Sequence, residues 1–379
     1  MPAQDTSVLM VAGEASGDLH ASKVVAKLME RSPGIRVFGI GGERMRASGM
    51  ELLYHADDFA MMGFAEVIRH IGRFRRALDV LTEESSARGT RLAILVDYPG
   101  FNLTLARRLR RSGVRILYYI SPQVWAWGER RVARIAELAD RLAVILPFER
   151  EFYAERGVEA EFVGHPLLEE PEIAAPRGPK ISHASPPVLG LLPGSRSQEI
   201  DRHLPPMLGA VRILRSRIPE LDVRLGLSSA QGGVAALYPE IERLGVRVAP
   251  PGSAHDVMKD STALLVSSGT ATLEAACFGT PMVVVYRMAP VSYAIGRLLV
   301  RIPHIALVNV VAGEGLVTEL IQHSVTPERL AGEIAPLLLD ASLSAALSAR
   351  LLAVRGKLGT PGASRRVAEM AASMLEEGR

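Results

Sequence analysis

Short apolar runs without polar alternation recur along the chain and predict the strands of parallel sheets. A strand that shows no alternation is covered on both faces, which is typical of α/β proteins. Each run leads through a turn into a helical stretch, so the first half reads as a series of βα units. Its predicted strands are Ser7–Ala12, Arg36–Ile40, Leu92–Val96, Ile116–Ile120, Leu142–Leu146 and Glu161–Val163.

The same pattern restarts after a proline-rich segment, residues 166–187, which predicts a linker between two domains. The second set of predicted strands is Val188–Leu192, Asp222–Leu227, Val246–Val248, Leu264–Val266, Met282–Tyr286 and Ile305–Val311. We therefore expect α/β domains over residues 1–165 and 188–345, followed by a helical tail over 346–379. The tail either returns to the first domain or exchanges with a partner chain in a homodimer.

An SSGT turn in the second half predicts a phosphate site. Ser268, Gly269 and Thr270 precede a short helix, where hydroxyls, backbone amides and the positive end of the helix dipole converge. Thr270 and Glu274 share a helix face, so Glu274 is placed to accept hydrogen bonds from a ribose diol. The alternative is an ordinary capped turn with a solvated glutamate, and these residues alone favour neither.

The first turn of each half differs in charge. In the second half, Gly194, Ser195 and Arg196 follow a strand, and an arginine beside small residues suits phosphate oxygens. In the first half, the GEASGD turn carries Glu14 and Asp18, whose charges would repel a pyrophosphate. We expect the acidic turn to face a hydroxyl-bearing partner, the alternative being a capped helix start with solvated acids.

Asp97 is the candidate general base of the first half. It follows the strand Leu92–Val96, at the carboxyl end where open α/β sheets place their ligands. A carboxylate removed from water at that position suits proton abstraction, although an aspartate there also caps helices. Besides Asp97, Asn102 and Thr104 are candidates for the cap of the helix that follows. His20, one turn into the first helix, is a further acid/base candidate.

Phe64–Leu81 is the clearest amphipathic helix of the sequence. Its apolar residues recur at intervals of three and four, and its other side carries arginines and a histidine. The usual interpretation is a helix packed on the core with a solvated basic face. The alternative is a helix lying on a membrane with anionic headgroups, because Met61 and Met62 lead into it.

Composition limits the remaining possibilities. The chain has 379 residues, of which 48% are hydrophobic and 22% charged, and its net charge is +3. Its one cysteine, Cys277, excludes an internal disulfide and fits a reducing compartment. The sequence shows neither a basic and apolar leader nor an apolar run of about 18 residues, so we expect no signal peptide and no membrane-spanning helix.

Several motif classes are absent from the sequence. It has no DxD, HExxH or Cys/His cluster that requires a metal, and no GxGxxG fingerprint of a dinucleotide cofactor. It has no GxSxG of an α/β-hydrolase, and its basic residues are not interleaved with aromatic ones as in nucleic-acid grooves. We therefore expect no metal, no cofactor and no nucleic-acid partner.

A series of motifs resembles the lipid-A-disaccharide synthase family. GEASGD, DYPGFN, SPQVWAWGERR, LPFE, FVGHPL, LLPGSR, SSGTATLEA, PMVVVYR and LVNVVAGE occur in the family's order. The resemblance implies a GT-B glycosyltransferase with two Rossmann-like α/β domains facing each other across a cleft. It implies transfer from UDP-2,3-diacylglucosamine to the 6-hydroxyl of 2,3-diacylglucosamine 1-phosphate (lipid X), giving the β-1,6 lipid A disaccharide 1-phosphate and UDP. Because both substrates carry acyl chains, it also implies a cytoplasmic enzyme held peripherally on the inner membrane.

The resemblance also implies roles for the candidate residues. Asp97 would take the proton of the acceptor hydroxyl, with Glu14 and His20 orienting the acceptor or substituting as base. The donor would be bound by residues of the second half, namely Gly194, Ser195, Arg196, Ser268, Gly269, Thr270, Glu274 and Asn309.

Three positions depart from the family pattern. Gly100 stands where the family often has a second aspartate, Val308 where it has proline and Glu314 where it has arginine. The first change removes a supporting carboxylate near Asp97. The other two remove the groups from which a phosphate contact in the last motif would come, while Asn309 is kept.

Two other classes of function remain open on the sequence. A UDP-sugar epimerase or hydrolase of the same architecture would need no acylated acceptor, and it would leave the basic amphipathic helix unexplained. A non-catalytic nucleotide-sugar-binding protein would be expected to lack Asp97, Glu14 and His20 together, and all three are present.

Overall fold

The computed structural model describes residues 6–60, 71–126, 128, 130–175, 177–180, 186–227, 237–290, 293, 296 and 302–377. The chain divides into two compact units. Unit 1 contains Met1–Glu169 and Gly359–Arg379, and unit 2 contains Glu170–Leu358. The chain thus leaves unit 1 inside the proline-rich segment and returns to it before the last helix.

Unit 1 contains seven described strands in one parallel sheet. They are β1 Ser7–Ala12, β2 Arg36–Gly41, β3 Glu51–His55, β4 Leu92–Val96, β5 Arg115–Tyr119, β6 Arg141–Val144 and β7 Glu161–Phe162. Its described helices up to the boundary are α1 Ala15–Arg31, α2 Glu43–Ala47, α3 Asp57–Ala60, α4 Ile71–Ala87, α5 Pro99–Arg111, α6 Arg130–Leu138 and α7 Glu149–Ala154. The strand order is β3-β2-β1-β4-β5-β6-β7. The sequence pattern missed β3, because this edge strand is partly polar and mostly half-buried.

Unit 2 contains a second parallel sheet, of six described strands. They are β8 Val188–Leu192, β9 Asp222–Leu225, β10 Arg247–Val248, β11 Ala263–Ser267, β12 Met282–Tyr286 and β13 Glu319–Ile321. Its described helices are α8 Pro171–Ala174, α9 Ser197–Arg217, α10 Glu240–Arg243, α11 Ala254–Asp260, α12 Ala271–Cys277, α13 Leu307–Ala312, α14 Pro327–Leu339 and α15 Ala341–Lys357. The strand order is β10-β9-β8-β11-β12-β13. Two parallel α/β units confirm the predicted fold class.

Burial on both faces explains why the strand sequences do not alternate. Leu9 and Val11 of β1 enter one hydrophobic cluster, whereas Val8 and Met10 enter the cluster on the opposite face. All four side chains are fully buried. Burying a side chain of this size stabilises the fold by about 1.5–3 kcal/mol, so each face of β1 needs apolar residues.

The predicted strand Ile305–Val311 is wrong. Its residues belong largely to the helix α13, and the last strand of the sheet is instead β13. A short apolar run has no period that separates a buried helix from a buried strand. Here Asn309 decides the outcome, because its side chain bonds to the backbone of Val317 and to Glu319 from within the helix.

The last helix, α16 Ala363–Glu376, packs in unit 1. Val367, Ala371 and Met374 enter the cluster on the α1 side of the sheet. The Ser364 amide and hydroxyl donate to Glu169 at 2.8 Å, which fixes the start of α16 to the segment where the chain leaves unit 1. The end of the tail therefore returns to the first unit.

The predicted amphipathic helix is described from Ile71 onward, as α4, and residues 61–70 lie outside the described residues. The ring of Phe74 lies 5.6 Å from that of Phe59 and 6.0 Å from that of Phe101. In its described part, the apolar face of the helix therefore packs on the core of unit 1.

None of the described helices is by itself long and apolar enough to cross a membrane. Among the helices that the structure describes, one pair, α14 and α15, reaches the required length and composition together, and its two members meet at 95°. Both bury apolar side chains inside unit 2, among them Leu330 and Ile334 of α14 and Leu351 of α15.

Candidate active site

The strand order of each sheet reverses at one point, between β1 and β4 in unit 1 and between β8 and β11 in unit 2. Parallel α/β sheets bind ligands at the carboxyl ends of the strands beside such a point. Glu14 and Asp97 follow β1 and β4, and Arg196 and Thr270 follow β8 and β11. The predicted residues therefore lie at the edge of each sheet where ligands are expected.

Asp97 and Tyr98 hold a strained backbone at the end of β4. Both have φ of +46°, in the left-handed region that non-glycine residues seldom adopt. The carbonyl oxygen of Asp97 accepts hydrogen bonds from the Tyr118 hydroxyl at 2.7 Å and from Asn102 Nδ2 at 2.8 Å. Residues held this way cost roughly 1–3 kcal/mol each and concentrate at functional sites.

Asn102 serves this bend and does not cap α5. The helix begins at Pro99, so Asn102 and Thr104 lie inside it, and the prediction that either is its cap is wrong. Asn102 Nδ2 also donates to the carbonyl of Val96 at 3.1 Å. Its side chain therefore fastens the last strand residue and Asp97 to the first turn of the helix.

The environment of Asp97 makes its carboxyl group a weaker acid. Removal from water and, to a lesser extent, the charge of Glu14 raise its pKa, a hydrogen bond from the Tyr98 amide opposes them, and the resulting pKa is about 6. The structure thus brings Glu14 and Asp97 into the same electrostatic neighbourhood. A carboxylate with this pKa is basic enough to accept a proton near neutral pH.

Gly13 allows the acidic turn to approach β4. A Cβ atom at this position would lie 2.5 Å from the ring of Tyr98, a distance that real side chains do not tolerate. Glu14 follows at the start of α1, is exposed and makes no side-chain cap of its helix. Burial, with a contribution from the charge of Glu14, raises the pKa of Tyr98 to about 12.

Asp18 does not face a ligand, contrary to the expectation for the acidic turn. Its buried carboxylate accepts hydrogen bonds from the amides of Gly42 at 2.7 Å, Met45 at 3.0 Å and Arg44 at 3.2 Å. It therefore caps the start of α2 and ties it to α1. The backbone amides that Asp18 binds lie more than twenty residues away in the chain, so a local sequence pattern does not reveal this role.

His20 lies half-buried on α1, and its electrostatic neighbour is His165. Burial, with a contribution from His20, lowers the pKa of His165 to about 3. Glu14, by contrast, is the acidic neighbour of Asp97. Of the two predicted assistants of Asp97, Glu14 is the one whose charge acts on it.

Sequence reasoning missed Glu149, which the structure adds to this neighbourhood. The side chain is 1% exposed and accepts hydrogen bonds from Trp125 Nε1 at 3.2 Å and from the Leu146 amide at 3.0 Å. Burial and, to a lesser extent, the charge of Asp97 raise its pKa, the hydrogen bonds from Leu146, Trp125 and Ile145 oppose them, and the resulting pKa is about 7. The available signal was an acid shortly after a buried strand, in LPFE.

In unit 2, the amides predicted to bind phosphate are occupied by the protein itself. Glu199 Oε2 accepts hydrogen bonds from the amides of Ser195 at 2.9 Å and Arg196 at 3.3 Å. Gly194 has φ of +129°, and a Cβ atom there would lie 2.4 Å from Glu199 Oε2. The Glu199 carboxylate thus sits where the anion was expected, while the Arg196 side chain is 74% exposed.

His203 holds the same turn through hydrogen bonds at both of its ring nitrogens. Its Nδ1 lies 2.7 Å from the Pro193 carbonyl oxygen, and its Nε2 accepts a hydrogen bond from the Arg287 amide at 2.9 Å. Because an amide only donates, Nδ1 carries the proton and donates to Pro193. Burial lowers the pKa of His203, so a neutral ring joins the ends of β8 and β12.

In the SSGT turn, the space beside Gly269 is empty of atoms of the described residues, and Thr270 is accessible to solvent. Gly269 has φ of +155° and no atom near its missing Cβ, and Thr270 is exposed. The Ser268 hydroxyl instead donates to the carbonyl of Ile305 at 3.0 Å. Glu274 lies one turn into α12, where its Oε2 is 3.2 Å from Nε2 of His255.

Asn309 lies beneath this edge, contrary to its predicted contact with substrate. The residue is fully buried, its Nδ2 donates to Val317 and Glu319, and its Oδ1 accepts from the Val317 amide. All its polar atoms are used inside the unit. Glu314, one of the departures from the family pattern, pairs with Arg350 at 2.9 Å.

The chain matches one protein family over most of its length. The family model described as lipid-A-disaccharide synthetase matches residues 8–363. The lipid-A-disaccharide synthase of Anaeromyxobacter sp. (strain K) is 44% identical over 378 residues, covering 97% of both chains.

Two solved structures share the fold at low sequence identity. The UDP-GlcNAc 2-epimerase from Neisseria meningitidis bound to UDP-GlcNAc superposes with a TM-score of 0.62 at 12% identity, covering 97% of this chain and all of that chain. The glycotransferase of kitacinnamycin gives 0.65 at 15% identity, covering 98% of this chain and all of that chain.

Proposed function

We propose that this chain, which belongs to the lipid-A-disaccharide synthase family, joins UDP-2,3-diacylglucosamine to 2,3-diacylglucosamine 1-phosphate. The products would be the β-1,6 lipid A disaccharide 1-phosphate and UDP. The observation that carries this proposal is Asp97, a carboxyl group with a pKa of about 6 on a strained backbone at the switch point of unit 1.

Asp97 acts as the general base in this proposal. With a pKa of about 6 it is largely ionised at neutral pH, yet it is more basic than an exposed aspartate. It accepts the proton of the acceptor 6-hydroxyl as that oxygen attacks the anomeric carbon. The bond to UDP breaks on the opposite face, so the anomeric centre inverts. Glu14 supports the basicity of Asp97 and accepts hydrogen bonds from acceptor hydroxyls.

The edge of unit 2 binds the leaving group. The exposed guanidinium of Arg196 and the open turn at Gly269 and Thr270 stabilise the charge that develops on the diphosphate. Exposed contacts to a helix terminus contribute about 0.3–1 kcal/mol each, so the arginine is the larger contribution. Glu274, one turn further, accepts hydrogen bonds from the ribose hydroxyls.

Peripheral attachment to the cytoplasmic face of the inner membrane follows from the acyl chains of both substrates. In the sequence, Met62, Phe64 and Ile68 provide apolar side chains ahead of the arginines of α4. We expect replacement of these three by serine to reduce sedimentation with anionic phospholipid vesicles. Phe74 is left unchanged in this variant, because its ring contacts the core. Equal sedimentation of folded variant and wild type would contradict this attachment.

The decisive assay follows UDP release from UDP-2,3-diacylglucosamine with and without the monosaccharide 1-phosphate acceptor. Acceptor-dependent release with a disaccharide product is expected. Release without acceptor would favour an epimerase or hydrolase, and no release would favour a nucleotide-sugar-binding protein.

A further inference from the structure

Glu274 has a protein partner that the mechanism does not use. His255, on α11, places Nε2 3.2 Å from Glu274 Oε2 and Nδ1 3.3 Å from Glu172 Oε2. Its ring packs against Phe278 at a centroid distance of 5.4 Å. One histidine from α11 therefore bridges a carboxylate of α12 and a carboxylate of α8, while an aromatic ring limits its rotation.

The bridge requires a proton on each ring nitrogen, because a carboxylate only accepts. The hydrogen bond to Glu274 raises the pKa of His255, the charges of Glu274, Glu172 and Glu170 add to the shift, and burial opposes it. The Arg177 guanidinium lies 4.8 Å over the same Phe278 ring. The doubly protonated ring therefore persists to a higher pH than in a free histidine.

We infer that His255 is a positioning residue that holds the Glu274 carboxylate in the orientation that selects a ribonucleotide over a 2′-deoxynucleotide. A carboxylate has about four acceptor positions, so one hydrogen bond from His255 leaves the others for a ribose diol. Without His255, the half-buried carboxylate is free to rotate about its side-chain torsions. This inference rests on the proposed contact between Glu274 and ribose.

The bridge also makes the selection depend on pH. Below the His255 pKa, the charged ring donates to Glu274 and forms an ion pair with Glu172. As the pH rises through that pKa, the ring loses its charge, and its one remaining proton is shared between the nitrogen that faces Glu274 and the nitrogen that faces Glu172. We therefore expect the preference for the ribonucleotide to be greatest below the His255 pKa and to fall as the pH rises through it.

The experiment measures the affinity of the full chain for UDP and for 2′-deoxy-UDP by calorimetry, over a pH series through neutrality. Wild type is expected to prefer UDP about tenfold, the effect of one hydrogen bond to a charged group. His255→Ala should reduce the preference to about twofold or less and leave the affinity for 2′-deoxy-UDP nearly unchanged. His255→Gln, which donates one hydrogen bond but does not titrate, should restore part of the preference and make it independent of pH.

Two controls separate this inference from the function on which it rests. Glu172→Gln removes the outer partner only, so the preference should survive while its pH dependence weakens. Glu274→Gln should abolish the preference, and its persistence in that variant would overturn the ribose contact itself. Loss of preference in Glu274→Gln but not in His255→Ala would overturn the role of His255 alone. A wild-type preference for UDP over 2′-deoxy-UDP that does not change with pH would also contradict the inference.

Discussion

The switch points of the two units are built differently. In unit 1, the Asp97 backbone is fixed by Tyr118 and Asn102 before any substrate arrives. In unit 2, the corresponding turn is held by Glu199, and the Arg196 side chain stands exposed to solvent. Proton abstraction depends on the position of one atom, whereas binding a diphosphate depends on the sum of several charges. The difference indicates that the edge of unit 1, which carries the base, needs the more rigid geometry.

The largest expected effect comes from removing the base. Asp97→Asn keeps the shape of the side chain but no longer accepts a proton, so turnover should fall by about 10²–10⁴. The measurement is the acceptor-dependent rate of UDP release, with the melting temperature as the control for folding. Near-normal turnover in a folded variant would contradict the role of Asp97.

A smaller effect tests whether the backbone at Asp97 must be fixed. Tyr118→Phe removes the hydroxyl that donates to the Asp97 carbonyl, and we expect kcat to fall about tenfold with KM little changed. Tyr119→Phe is the matched control, because the adjacent tyrosine is equally buried and its hydroxyl has no hydrogen-bond partner among the residues that the structure describes. Equal rates for the two variants would show that the Tyr118 contact does not serve catalysis.

The smallest expected effect tests the turn that follows β8 in unit 2. If Glu199 competes with the diphosphate for the Ser195 and Arg196 amides, Glu199→Gln should raise UDP affinity by roughly three- to tenfold. The same change should lower the free energy of unfolding by about 0.5–1 kcal/mol, because the carboxylate also caps α9. Arg196→Ala should change affinity in the opposite direction. Unchanged affinity in Glu199→Gln would mean that the ligand does not use these amides.

Local sequence patterns predicted most strands and the residues at each switch point. Strand ends and the turns after them are encoded in consecutive residues, so the positions of Asp97 and Arg196 at the ends of their strands were predictable. Other contacts that shape the two sites join residues that lie far apart in the chain. Trp125 and Glu149 are 24 residues apart, and His255 and Glu274 are 19 apart.

The errors have the same physical origin. Asp18 looked like a ligand-facing acid because the donors to its carboxylate, the amides at the start of α2, are supplied by tertiary packing. Asn309 looked like a binding residue because its motif does not reveal that β13 supplies its partner Glu319. In both cases a polar side chain satisfies buried backbone groups, which a one-dimensional pattern does not separate from ligand binding.

The pH dependence of kcat/KM tests the central claim most directly, because it reports the ionisation of the base in the free enzyme. With Asp97 as the base, the rate should rise with pH through an apparent pKa of about 6 and then level off. Glu14→Gln removes a negative neighbour and should move that apparent pKa to a lower value. A profile with no ionisation near this value, or one that Glu14→Gln leaves in place, would contradict the assignment of Asp97 as the base.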